Sequence, residues 1–211
     1  MIAEGEEKMV YIVGIGPGNR EYMLNAALTE LLASDCIIGF KRAVESVAFI
    51  QKPKYTAKNL KNILDFIQDK KYKKICVIAS GDPLFYGVAE YVKKNYIGDI
   101  KIIPGISSFQ YMMSKLGKSW QNAKLSSLHG REQDFIKEVE ENKTSIWLTD
   151  NKNTPDIMCK NLVKANIKAH VYIGENLSYE DEKISCGEAF EFIDKKFKEL
   201  TVVVIENDNK R

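Results

Sequence analysis

Short unbroken apolar runs and longer stretches with apolar residues three or four positions apart take turns along the chain. The first run, residues 9–15, ends in glycines, and over 22–34 Leu24, Ala27, Leu28, Leu31 and Leu32 repeat with helical spacing. That order predicts strand, loop, helix. The run 36–39 reads as a second strand, and 60–68 as a helix with Leu60, Ile63, Leu64 and Ile67 on one face. Residues 75–79 are apolar throughout, as a strand buried on both faces would be. Strands joined by helical crossovers imply a parallel sheet. After a loop at 80–87, a helix to Lys94, a strand at 100–103 and a helix opening at 104–108 and closed by Gly117 complete the first unit. From residue 124 the pattern restarts, with strands at 125–128, 145–149, 169–173 and 200–205, helices at 132–141 and 155–165, and an amphipathic segment at 189–197. The expectation is an α/β protein of two domains, 9–119 and 120–207, parting in the polar stretch 118–123.

A chain of 211 residues buries roughly 70% of its unfolded surface, enough for a substantial core. Its 31 Lys and Arg nearly balance 29 Asp and Glu, so no field of one sign points to nucleic acid. Cys36, Cys76, Cys159 and Cys186 are scattered without a CxxC pair, which argues against a disulfide framework or a zinc site; no metal is expected. A reducing, cytoplasmic setting fits that usage. Residues 1–8 read as a short disordered leader, polar and unlike a signal region, and no run approaches the ~20 apolar residues of a membrane span.

Three loops follow strands. The first, "GIGPGN" over 14–19, looks like the turn that holds a dinucleotide pyrophosphate, but it fails that fingerprint. Asn19 stands where the third glycine belongs, Pro17 removes an amide, and the second strand ends in "GFKR" (39–42) rather than an acid. The glycines could equally serve only a tight turn. The second, "SGDPLFYG" over 80–87, sets Asp82 before Pro83 at a strand's carboxyl end, where open α/β sheets bind ligands. Asp82 could bond a ligand or cap its own turn. The third, "PGISS" over 104–108, offers the hydroxyls of Ser107 and Ser108 beside free helix amides, or a plain cap at Ser107. His129 and Arg131 sit together in "SLHGR" (127–131), whereas His170 opens a strand and reads as structural. Arg42 and Arg131 could bind carboxylates bidentately or remain solvated surface charges. No triad, HExxH or paired-carboxylate pattern appears, so no catalytic residue is assigned.

Taken together, "YIVGIGPGN", "SGDPLFYG", "PGISSFQ", "SLHGR" and "GENLSYEDEKI" resemble, in this order, the tetrapyrrole methylase family of S-adenosylmethionine (SAM) dependent methyltransferases. "GFKR", the stretch 104–131 and "GENLSYEDEKI" (174–184) are similar to its cobalamin-pathway branch, the CbiE-type subunits of precorrin-6Y C5,15-methyltransferase. The resemblance implies two α/β domains with SAM in the cleft between them, and a homodimer. It implies that the first loop lines the cleft, with Pro17 against SAM. It also implies that Gly81, Asp82 and Phe85 contact SAM, that Ser107 and Ser108 flank its sulfonium, and that Thr149 in "SIWLTD" closes the far side. The acceptor would be a precorrin rich in carboxylates, for which Arg42, His129 and Arg131 are the candidate anchors. A chain ending at Arg211 leaves no room for the fused C15-methylating, decarboxylating domain of many relatives, so that step would fall to a separate protein met transiently. The rivals are another methylase of the family, acting elsewhere, and a non-catalytic tetrapyrrole-binding subunit.

Overall fold

The computed structural model describes residues 8–69, 71–128 and 134–210. It divides into two compact units, at Ser107 and Ser108. The expected boundary near 119/120 lies one helix later. The residues that fall outside the described set include 1–7 of the leader, the start of the helix expected at 132–141, and both His129 and Arg131.

In the first unit, five parallel strands stand in the order β3-β2-β4-β1-β5: β1 (Met9–Gly14), β2 (Cys36–Phe40), β3 (Lys54–Ala57), β4 (Lys74–Ala79) and β5 (Asp99–Ile103). The period-2 alternation of a strand sends Val10 and Ile12 of β1 to one face and Tyr11 and Val13 to the other. The first face packs on Ile63 and Ile67 of α3 (Leu60–Gln68) and on Val88, Ala89 and Val92 of α4 (Val88–Asn95). The second packs on Ala27 and Leu31 of α1 (Asn25–Ala33) and Ala43 of α2 (Lys41–Ser46). Both faces are thus covered, which is why β4 carries no alternation. α3 starts where Asn59 accepts the Asn62 amide at 2.9 Å.

The second unit has a mixed sheet, ordered β6-β7-β10-β8-β9, built from β6 (Lys124–Ser127), β7 (Thr144–Leu148), β8 (Ala169–Glu175), β9 (Lys183–Glu188) and β10 (Thr201–Asn207). Among the described residues, β6 and β7 run parallel and the other three pairs of this sheet are antiparallel. Trp147, Val171, Ile173, Val203 and Ile205 meet α6 (Phe135–Glu141) and α7 (Pro155–Lys164) through Val139, Met158 and Leu162. α5 (Ser108–Leu116) lies against β7 and β10, which assigns it to this unit. No helix among the described residues is long and apolar enough to cross a membrane.

Two stability expectations arise here. Glu206 of β10 accepts from Lys118 at 2.8 Å and from the Tyr172 hydroxyl at 3.1 Å. Burial pushes its carboxyl up, but these partners outweigh it and hold it below the ordinary 4.5. A lowered carboxyl contributes stability that is complete above pH 4.5 and is lost as pH falls through the folded-state value. Glu206→Gln is therefore expected to cost about 0.5–1 kcal/mol at pH 7. The gap to the unsubstituted protein should narrow towards pH 3 in paired thermal melts; a gap constant across that window would refute it. Cys36, Cys76 and Cys159 are buried and Cys186 is exposed. Burial pushes the first three thiols up to about 12. A thiol reagent at neutral pH should accordingly titrate Cys186 rapidly and the other three only after denaturant is added.

Candidate active site

The three loops singled out in the sequence leave the carboxyl ends of β1, β4 and β5, which the sheet order makes immediate neighbours. They are joined backbone to backbone. The Gly81 amide donates to the Gly16 carbonyl at 2.7 Å, and Gly16 returns a longer bond to Gly81 at 3.4 Å. A Cβ on Gly14 would lie 2.6 Å from the Gly105 nitrogen and 2.7 Å from the Gly81 oxygen, and one on Gly105 would overlap that same oxygen. Glycine is required where three backbones approach this closely. Asp82 ties the arrangement from the side: Oδ1 accepts the Leu84 amide at 2.8 Å, capping its own turn, and Oδ2 accepts the Gly105 amide at 3.1 Å, across to the third loop. Turn cap and inter-loop clamp are one carboxylate.

Pro17 is buried, Gly81, Asp82 and Phe85 are half-buried, and the Phe85 ring meets Tyr86 edge-on with centroids 4.9 Å apart. Ser107 is buried just ahead of α5, and Ser108 is the first residue of that helix. Arg42 is exposed in the first turn of α2, directly beyond the end of β2. In the second unit, Thr149 follows β7 and is buried, its hydroxyl bonded to the Thr201 carbonyl at 3.1 Å and to the Thr201 hydroxyl. His170 pairs with Glu188 across β8 and β9 at 3.3 Å, a sheet contact in keeping with a structural role. Among the described residues, no cluster of His, Cys, Asp or Glu could hold a metal.

Loops 14–19, 80–87 and 104–108 contain no Lys or Arg and a single carboxylate, Asp82. A pyrophosphate would find no cation there, an imide at Pro17, and the Gly16 and Gly81 amides already paired with backbone. A sulfonium is a cation, and these loops hold no like charge and one opposite charge, the Asp82 carboxylate. The residues present therefore fit a sulfonium donor and not a dinucleotide. Sequence reasoning found the loops but did not find Gly14 and Gly105 as a contact pair, nor the left-handed Tyr86 at φ 52°.

The fold, two α/β units each built on a five-stranded sheet, is shared with solved methylase structures. The chain belongs to the tetrapyrrole (corrin/porphyrin) methylases, whose family model matches residues 9–192. It is 36% identical to the probable cobalt-precorrin-7 C(5)-methyltransferase of Methanocaldococcus jannaschii, over 95% of this chain and 99% of that protein. It is 34% identical to the cobalt-precorrin-7 C(5)-methyltransferase of Salmonella typhimurium, over 83% and 89% respectively. The crystal structure of the precorrin-6Y methylase CbiE of Archaeoglobus fulgidus superposes with a TM-score of 0.78 at 21% identity, covering 96% of this chain and 99% of that one.

Proposed function

We propose that this chain is a SAM-dependent methyltransferase that methylates C5 of cobalt-precorrin-7 in cobalamin biosynthesis. The observation that carries the proposal is 34–36% identity, over 83–95% of the chain, to one probable and one named cobalt-precorrin-7 C(5)-methyltransferase, combined with a cation-free, glycine-joined loop platform. SAM supplies an electrophilic methyl on a sulfonium. The chain's own task is alignment: an electron-rich macrocycle carbon held ~3–3.5 Å from the methyl in a water-poor site gains most of its acceleration from proximity and orientation. That task requires a rigid platform more than a strong base, which fits the absence of any recognisable catalytic motif.

On this reading Pro17, Gly81, Asp82, Phe85 and Ser107 face the donor, and Ser108 and Thr149 are the further donor contacts. Arg42, with His129 and Arg131, anchors the acceptor carboxylates. The same reading includes a cytoplasmic homodimer in transient contact with a separate C15-methylating decarboxylase. Anaerobic incubation with SAM and cobalt-precorrin-7, followed by mass spectrometry of the pigment, should show a gain of one methyl with no carboxylate lost. Binding of SAM without any gain would refute the assigned acceptor, and failure to bind SAM would refute the enzyme reading altogether.

A further inference from the structure

We infer that Tyr86, with Leu84 and Phe40, forms the seat for the flat face of the methyl acceptor, and that Tyr86 is held in a strained backbone conformation to do so. The inference rests on the C5-methyltransferase reading and adds the residues that orient the macrocycle. Tyr86 has φ 52°, a region that a bulky L-residue enters only when its surroundings impose it. The surroundings here are explicit. The Asp82 carbonyl accepts the Phe85 amide at 3.2 Å, the Pro83 carbonyl accepts the Ala89 amide at 3.2 Å, and Gly87 packs so closely under the Pro83 carbonyl that a Cβ would overlap it.

A turn wound this tightly could use glycine at position 86 without the steric penalty of positive φ, yet it carries an aromatic ring that remains 37% exposed. Leu84, two residues earlier, is 61% exposed, and Phe40 ends the neighbouring strand β2 at 41% exposure. Leu84 and Tyr86, in the loop that follows β4, and Phe40, at the end of the adjacent β2, thus each keep solvent-exposed surface, Tyr86 while packing edge-on against Phe85. Lys41 and Arg42 follow Phe40 directly and both are exposed, Lys41 in an i,i+4 ion pair with Glu45 at 3.9 Å, which leaves Arg42 as the principal cation. An apolar surface with a cation at its margin complements a planar macrocycle carrying carboxylates at its periphery, since ring faces stack on aromatics and carboxylates pair with guanidinium.

Tyr86→Gly separates this role from a structural one, because glycine relieves the backbone strain while removing the ring. With SAM and cobalt-precorrin-7 as the assayed pair, the variant gives up the edge-on contact with Phe85 but relieves the left-handed backbone, so it should melt within about 4 °C of the unsubstituted protein and bind SAM within about threefold of it. Its acceptor KM should rise on the order of tenfold. Tyr86→Phe, which keeps the ring, should restore the KM to within about twofold. An unchanged KM in Tyr86→Gly would overturn the inference while leaving the C5 reading intact. So would a melting point lowered beyond that margin, with SAM and acceptor affinity falling together, which would make Tyr86 a packing residue. If the unsubstituted protein transfers no methyl to this acceptor, the C5 reading fails and the inference fails with it.

Discussion

Gly105→Ala is expected to lower the thermal midpoint by roughly 6–12 °C and methyl transfer on the order of a hundredfold. The added Cβ would overlap the Gly81 carbonyl oxygen and sit 2.9 Å from the Gly14 backbone. None of these atoms is the end of a flexible side chain, so the loops themselves must part. Overpacking of this kind costs about 3 kcal/mol, and a domain of this size loses ~2–4 °C per kcal/mol. A shift of about 1 Å in a positioning element can by itself cost ~100-fold in rate. Gly117→Ala is the matched control. Gly117 closes α5 at φ 62°, with the Lys118 amide bonded to Met113 at 3.0 Å and its own to Ser114 at 3.1 Å, and its missing Cβ would meet nothing within 4 Å. Alanine there should cost only the left-handed penalty of ~1–2 kcal/mol and leave turnover unchanged. Equal melting points and equal rates for the two variants would show that close backbone packing does not hold the platform.

The sequence pattern reveals elements in proportion to how completely tertiary packing reinforces it. α3 was legible from Leu60, Ile63, Leu64 and Ile67, and its observed span, Leu60–Gln68, is the span that spacing predicts. β4 was legible because both of its faces are covered and every buried position had to be apolar. β9, "KISCGE", was missed: it is an edge strand with only one neighbour, so few of its side chains needed to be apolar. β3 is another edge strand, of four residues, and α2 has only six, too short to display a period. The same division runs through the site. Glycine and proline spacing marked each loop separately. That Asp82 reaches the Gly105 amide, 23 residues away, follows from the parallel order β4-β1-β5, which no local window contains.

Asp82→Asn is expected to weaken SAM far more than S-adenosylhomocysteine, and this difference decides which of two roles the carboxylate plays. In the folded chain both oxygens accept amides, from Leu84 and Gly105. Alanine removes both bonds and leaves two donors without acceptors, a loss of about 2–3 kcal/mol in stability. Asparagine retains one acceptor, which can keep the Leu84 turn, while its NH2 group faces the Gly105 amide as donor against donor. Its stability loss should therefore be about half that of alanine. Charge is a separate matter. On the proposed assignment, a carboxylate even ~8 Å from a sulfonium contributes about 2 kcal/mol at an effective dielectric of ~20. Its removal would weaken SAM binding roughly thirtyfold. S-adenosylhomocysteine has lost the methyl and with it the positive charge, so it should bind Asp82→Asn within a few fold of the unsubstituted protein, apart from any displacement of the loops. Calorimetric titration of both ligands against both proteins measures the two effects independently. Parallel losses for the two ligands, tracking the loss of melting temperature, would make Asp82 a clamp between loops alone. A loss confined to the charged ligand would place its carboxylate in the field of the reacting sulfonium.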